Sequence, residues 1–194
     1  IPAFSVGRTQ HIVYFLNALW NAGELPRVPV YVDSPLSTNV TEIFRQHPEC
    51  YNRQVREQLH RDGDPFGFTT LTYIRDVEAS KELNERTDPM IIIAASGMCE
   101  AGRILHHLRN SIEDPKNCVM IVGFQAENTL GRRIVERQPE VRIFGETLQL
   151  RAEVAVLNGF SAHADAEELV DFAWRVNERG QALEKVYLVH GEPD

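Results

Sequence analysis

Short apolar runs alternate with stretches of helical periodicity along this chain, and that alternation limits the fold more than any other feature. The apolar runs predict strands at 28–33, 71–76, 90–95, 118–123 and 185–190. The stretches between them predict helices at 8–22, 36–61, 78–86, 102–112, 128–137 and 165–178. Strands that alternate with helices form a parallel sheet covered by helices, so the expected fold class is α/β.

One segment, 140–158, departs from this pattern. Its short alternating runs on either side of Gly145 and Glu146 predict a hairpin, in which the two strands are antiparallel. No repeat or low-complexity linker accompanies the change. We therefore predict that the segment marks the boundary between two units.

Composition excludes several classes of protein. With 194 residues, 43% of them apolar and 25% charged, the chain is typical of a globular domain. Its longest apolar run, at 90–95, is far shorter than the roughly 20 residues that span a bilayer. The first residues do not resemble a signal peptide, so none is expected, and the three cysteines form no C-x-x-C motif. We therefore predict a cytoplasmic fragment that does not associate with membranes.

The formal net charge of −8 argues against a general surface for nucleic acid, because nonspecific affinity comes from clustered Lys and Arg. A local basic groove remains compatible with this charge. The arginines of the "GRRIVER" segment at 131–137 are better explained as a solvated helix face.

Ligands of open α/β sheets bind beyond the carboxyl ends of the strands, where helix N-termini offer free N–H groups. This rule selects Asp33, Ser34, the 96–99 and 123–128 loops, the 161–165 turn and the 190–192 end. Asp33 fits a carboxylate base and a turn residue equally well. The two glycines of "SGMCEAGR" suit a phosphate cradle or a plain turn, and no nucleotide-loop motif is present.

Arg8, at a helix start, suits either a phosphate or a surface salt bridge. The thiol of Cys99, at another helix start, is a candidate nucleophile but is better explained as a small apolar filler. His106 and His107 are adjacent, so their side chains diverge by about 100° on a helix and cannot hold one ion. We predict that one of them faces the core and the other faces solvent.

His163 and His190 are the strongest candidates for chemistry. His163 lies between two alanines in the turn "GFSAHAD", where Asp165 either orients its ring or caps the following helix. His190 ends the apolar run "VYLVH", a position from which neutral imidazole commonly binds metal. Two ligands do not make a zinc site, so further ligands must come from elsewhere.

The order of six segments resembles the β-CASP nucleases of the metallo-β-lactamase superfamily, which include the nuclease subunit of the cleavage and polyadenylation factor, RNase J and bacterial relatives. The segments are "IPAFSVGRTQ", "VPVYVDSPLS", "IIIAASGMCEAGRILHHL", "VMIVGFQAENTLGRRI", "GFSAHAD" and "VYLVHGE". Together they span nearly the whole chain. His11 is a departure, because many relatives carry an acidic residue there.

The resemblance implies a three-layer α/β/α β-CASP domain with a parallel sheet over residues 1–158, lacking its first part. Residues 159–194 would be the returning segment of an αββα metallo-β-lactamase domain. By the same resemblance His163 is the catalytic residue that assists proton transfer at the scissile phosphate, and His190 is a metal ligand. The resemblance also makes Ser161 a contact of substrate phosphate. Separately, the partial positive charge and free N–H groups of helix N-termini predict phosphate binding at Arg8, Ser34, Ser96, Gly97 and Gly102.

The family's main metal motif, H-x-H-x-D-H, does not occur in this sequence. The resemblance therefore implies the C-terminal portion of a nuclease that uses two zinc ions to cleave single-stranded RNA, and this portion alone is expected to be inactive. The other ligands would belong to an N-terminal metallo-β-lactamase half of the same protein, and a homodimer is allowed. Two alternatives stay open: a noncatalytic RNA-binding or scaffold relative, and a hydrolase that depends on Cys99.

Overall fold

A computed structural model describes residues 1–160, 164–178 and 183–187. Contacts within the chain divide it into two compact units, Ile1–Phe160 and Ser161–Asp194. The first unit holds all seven strands and six of the seven α-helices of the described residues.

Three parallel strands form the sheet that organises the first unit. Strand β1 (Val30–Asp33) lies between β2 (Leu71–Ile74) and β3 (Ile91–Ala94), and Val30 is level with Leu71 and Ile91. The first residues of the chain extend alongside β3, because Ala3 N–H donates to the Ala94 carbonyl and Ala94 N–H donates to that of Ile1. The segment that follows them therefore reaches the edge at which β1 and β3 end.

The remaining four strands form two pairs. Strand β4 (Cys118–Ile121) pairs in parallel with β7 (Glu153–Val156), and β5 (Glu140–Ile143) pairs antiparallel with β6 (Glu146–Gln149). The predicted hairpin is confirmed for 140–149, and both turn residues have positive φ, as a tight hairpin requires. Strand β7 does not belong to it. In the predicted strand at 185–190, residues 185–187 lie in no strand and 188–190 lie outside the described residues.

The described residues contain seven α-helices, six in the first unit and one in the second. They are α1 (Arg8–Asn21), α2 (Pro35–Gln46), α3 (Arg53–Asp62), α4 (Val77–Glu82), α5 (Arg103–Ser111), α6 (Leu130–Val135) and α7 (Ala166–Glu178). The single helix predicted over 36–61 is wrong: Pro48 lacks an N–H donor and disfavours the helical conformation of the residue before it, so α2 and α3 are separate. Asp165 caps α7, one of the two roles considered for it, and forms a capping box with Glu168.

The sheet is apolar on both faces. Ile91 and Ile93 of β3 belong to a core with α1 and β1, whereas Ile92 and Ala94 belong to a second core with α5, α6 and the hairpin. Alternate residues of a strand point to opposite faces, so β3 lies between two apolar layers, as is typical of parallel sheets. The α/β fold class with parallel sheets is confirmed. None of the described helices is long and apolar enough to cross a membrane.

Candidate functional site

Several loops converge at the edge where β1, β3 and β4 end. Of the predicted site residues, the structure describes Arg8, Ser34, Ser96, Gly97 and Gly102. The other three, Ser161, His163 and His190, lie outside the described residues. The geometry of the site therefore rests on the first unit.

The starts of α1 and α2 are held side by side by polar contacts. Ser34 caps α2 by accepting a hydrogen bond from Ser37 N–H, and its hydroxyl lies 3.4 Å from that of Ser5. The buried Gln10 amide donates to the Thr41 hydroxyl, at 2.9 Å. Since Gln10 joins the two helices inside the protein, both helix N-termini are fixed at the same edge of the sheet.

The Arg8 side chain extends from this pair of helix starts, and its guanidinium forms no ion pair or hydrogen bond with any of the described residues. Its guanidinium carbon lies 5.8 Å from the centre of the Phe160 ring, and its Nε lies 4.0 Å from where a β-carbon would stand on Gly123. Burial lowers the pKa of this guanidinium, which shows that solvation of its charge is incomplete. A half-buried cation without a carboxylate partner is suited to an anionic ligand.

The loop between β3 and α5 is closed on itself. Ser96 Oγ accepts hydrogen bonds from Glu100 N–H (3.0 Å) and Ala101 N–H (3.2 Å), and Ser96 N–H donates to the Ala101 carbonyl. The Ser96 hydroxyl oxygen thus stabilises the loop by accepting these two hydrogen bonds. The hydroxyl hydrogen can still be donated to a ligand. Gly102, at the end of the loop, has φ 81°.

Replacing Gly102 with alanine is expected to destabilise the fold more than the same change at Gly145. Both glycines have a left-handed backbone, with φ near 81° and 84°, so they share the conformational cost of about 1–2 kcal/mol. A β-carbon on Gly102 would also meet the Ala95 carbonyl oxygen at 2.4 Å, whereas one on Gly145 meets nothing within 4 Å. Urea unfolding of the two variants measures the difference, and equal midpoints would contradict the described loop geometry.

Gln125 fastens the loop after β3 to the loop after β4. Its buried side-chain amide donates to the carbonyls of Gly97 (2.9 Å) and Gly123 (3.2 Å). Gly131 lies so close that a β-carbon there would stand 1.7 Å from Gln125 Oε1. The sequence placed 123–128 at a strand end but gave no signal for this amide, because one glutamine in a loop has no distinctive pattern.

Asp33 is fully buried at the end of β1, and both of its carboxylate oxygens accept hydrogen bonds from side chains. Its Oδ1 accepts from Arg103 Nη1 (2.6 Å), and its Oδ2 accepts from Ser80 Oγ (2.5 Å) and His107 Nε2 (2.7 Å). The other ring nitrogen of His107 lies 2.8 Å from Asn84 Oδ1. The sequence suggested that Asp33 is either a catalytic base or a turn residue. In the structure it has neither role, and its carboxylate joins β1 to α4 and α5.

The balance of forces on Asp33 favours its charged form. Burial alone would raise the pKa of the carboxyl, but the hydrogen bonds from His107, Ser80 and Arg103 together hold that pKa below its usual value. His107 is buried and its neighbour His106 is exposed, as predicted for adjacent histidines on a helix.

The hypothesis of a Cys99-dependent hydrolase is wrong. The Cys99 side chain is fully buried among apolar residues of the second core, and burial raises the pKa of its thiol to about 12. A nucleophilic cysteine needs a depressed pKa and access to substrate. Cys99 has neither property and is an apolar filler.

Alkylation of the native protein is expected to separate the three cysteines. Iodoacetamide should modify Cys50 and Cys118, which are exposed, and leave Cys99 unmodified until the chain is unfolded. Mass spectrometry after timed labelling gives the order. Labelling of Cys99 at the rate of Cys50 would contradict its burial.

The described residues do not fit a zinc ion. No three His, Cys, Asp or Glu side chains among them come together as ligands. The nearest candidates, Asp33 and His107, already use their polar atoms on each other and on Arg103, Ser80 and Asn84. The predicted ligand His190 is one of the residues outside the described ranges.

Two family models match the chain. Residues 9–134 match the Beta-Casp domain, and residues 147–194 match the Zn-dependent metallo-hydrolase RNA specificity domain. The first match alone covers more than half of the chain. It includes α1 from its second residue onward, Ser34, and the loops after β3 and β4.

Curated relatives match over essentially the whole chain. Ribonuclease TTHA0252 of Thermus thermophilus is 40% identical over 194 residues, which is 100% of this chain and 43% of that protein. An RNase J-like protein of Methanocaldococcus jannaschii is 32% identical over 99% of this chain and 42% of its own length. Transcription termination factor FttA of Methanosarcina mazei is 34% identical over 99% of this chain and 30% of its own length. The chain therefore spans less than half the length of these relatives.

Proposed function

Because this chain belongs to the β-CASP family, we propose that the protein containing it is a metal-dependent ribonuclease that hydrolyses phosphodiester bonds of single-stranded RNA. The relatives named as ribonucleases support nuclease chemistry. The chain would contribute the RNA-binding domain and two active-site histidines and would be inactive alone. An N-terminal metallo-β-lactamase half of the same protein would supply the rest of the active site.

One observation of the structure carries the RNA-binding part of this proposal. Arg8 presents a cation without a carboxylate or hydrogen-bonding partner among the described residues, beside the N-termini of α1 and α2. Helix N-termini carry a partial positive charge, which favours binding of phosphate. The site can therefore hold one anion although the chain as a whole is acidic.

The catalytic part of the proposal rests on residues beyond the described ranges. We propose that His163 passes a proton to the leaving oxygen, that Ser161 contacts substrate phosphate and that His190 is a ligand of one of two zinc ions. Zinc is chosen because residues 147–194 match a Zn-dependent metallo-hydrolase domain. When bound, such ions supply an activated water and polarise the phosphoryl group. Since the three cysteines are free thiols, we also propose a cytoplasmic location.

A noncatalytic RNA-binding protein is the second candidate. Several relatives, among them that of Methanosarcina mazei, are named transcription termination factors and not ribonucleases. In both candidate functions, RNA binds at the edge where β1, β3 and β4 end and where Arg8 lies. They differ in whether metal ligands are present in the rest of the protein.

The RNA-binding proposal predicts that Arg8→Ala in the full-length protein weakens binding of single-stranded RNA and lowers its salt dependence. Loss of one phosphate contact reduces the slope of log affinity against log salt by about 0.7 for a single strand. Fluorescence anisotropy of labelled octauridine at several salt concentrations, with chelator present to keep the RNA intact, measures both quantities. The control is Arg53→Ala, which removes an exposed arginine of α3 that pairs with Glu57. Equal slopes for wild type and Arg8→Ala would refute the assignment.

A further inference from the structure

Two phenylalanines are exposed at the edge that carries Arg8. The ring of Phe4 is 47% exposed and that of Phe124 is 50% exposed. Phe4 lies in the loop that leads into α1, and Phe124 lies in the loop after β4. Large apolar side chains on a surface are informative when they group together beside polar residues, because such groups bind ligands.

Contacts between the loops make Phe4 and Arg8 part of one continuous surface. The Phe4 ring packs directly on the backbone of Gly97, where a β-carbon would meet ring atoms at 2.7 and 2.9 Å. Gly97 and Gly123 are neighbours, because one Gln125 amide donates to the carbonyls of both. Arg8 Nε in turn lies 4.0 Å from the β-carbon position of Gly123.

The Phe4 ring therefore covers the buried Gly97, and the Arg8 guanidinium lies beside the neighbouring Gly123. Phe124 follows Gly123 in sequence and is exposed. An exposed aromatic ring near a cation that has no carboxylate partner among the described residues is complementary to a nucleotide, which combines a flat apolar base with an anionic phosphate. Aromatic rings stack on every base, whereas Arg neutralises the backbone, and proteins that bind single strands combine the two.

We infer that Phe4, packed on Gly97, forms a base-stacking subsite that holds an unpaired base of single-stranded RNA while Arg8, beside the neighbouring Gly123, holds its phosphate. The inference rests on the proposed function and adds to it a stacking contact that accepts a base of any identity. In a duplex the faces of the bases are already stacked, so paired RNA cannot use the subsite.

Two probes of equal charge separate stacking from phosphate binding in the full-length protein. One is labelled octauridine and the other is an oligonucleotide of the same length whose sugars carry no bases. Phe4→Leu is expected to weaken octauridine binding by about fivefold to a hundredfold and to leave binding of the abasic probe unchanged. Phe4→Tyr retains a ring and should keep wild-type affinity for both probes.

Arg8→Ala should weaken both probes, because its contact is with the backbone. Phe144→Leu is the matched control: that ring is also exposed, but it lies at the β5–β6 turn against His106. It should change neither affinity.

The results distinguish this inference from the proposed function. If Phe4→Leu binds octauridine as tightly as wild type, or loses affinity equally for both probes, the stacking subsite is refuted even when wild type still binds and cleaves RNA. If wild type binds neither probe, the RNA-binding proposal fails and the subsite fails with it.

Discussion

His163→Ala in the full-length protein is expected to slow RNA cleavage by roughly 10²–10⁴-fold while zinc content stays close to that of wild type. The reason is its proposed role: a general acid that protonates the leaving oxygen typically contributes that factor, and a residue that does not bind metal leaves the metal in place. Single-turnover cleavage of labelled RNA gives the rate. Metal analysis of the same protein gives the zinc content.

His190→Ala is the contrasting variant. As a proposed metal ligand, its loss should lower zinc content and cleavage together, because the remaining ligands hold the ion less tightly. If the two variants lose zinc equally, His163 has been assigned the wrong role. If His163→Ala cleaves at the wild-type rate, it is not the proton donor.

Asp33→Asn is expected to destabilise the fold by about 3–5 kcal/mol. The change keeps the shape of the side chain but removes the charge that faces Arg103 and His107, both of them largely buried. Breaking a buried ion pair is costly because the remaining charge loses its solvent and gains no partner. Because Asp33 joins β1 to α4 and α5, the loss should appear in the free energy of unfolding measured with urea.

The pH dependence of this effect follows from the lowered pKa of Asp33. A carboxyl whose folded pKa lies below its unfolded pKa stabilises the fold above the unfolded value, and this contribution is lost as the pH falls through the folded value. The difference between wild type and Asp33→Asn should therefore be greatest near neutral pH and narrow in acid. Glu146→Gln is the control, because its pair with Arg109 is exposed and should contribute little. Equal stability of Asp33→Asn and wild type would show that the buried pair is not formed.

The sequence predicted the elements of the first unit better than their connections. Apolar periodicity located β1 to β4 and most helices, because burial on one face repeats locally along the chain. Strand β7 was missed as a partner of β4, since that pairing joins residues more than thirty positions apart. The break between α2 and α3 was missed although Pro48 signals it.

The candidate site divides in a similar way. Strand ends and helix starts led to Arg8, Ser34 and the 96–102 loop, because the rule for ligands in parallel sheets depends only on where strands end. The partners of Asp33 could not be predicted: His107 and Arg103 lie 74 and 70 positions away in sequence. Only the folded chain shows that Asp33 is hydrogen-bonded to both of these groups, and that the Arg8 guanidinium has no carboxylate partner among the described residues.

The most direct test of a metal-dependent ribonuclease is cleavage of labelled single-stranded RNA by the purified full-length protein before chelation, after chelation and after zinc is restored. We expect cleavage by the untreated protein, its loss when the metal is removed and its recovery with zinc, with His163→Ala cleaving slowly even when loaded with zinc. RNA that stays intact with the zinc-loaded protein, or cleavage that continues undiminished after the metal is removed, would contradict the account.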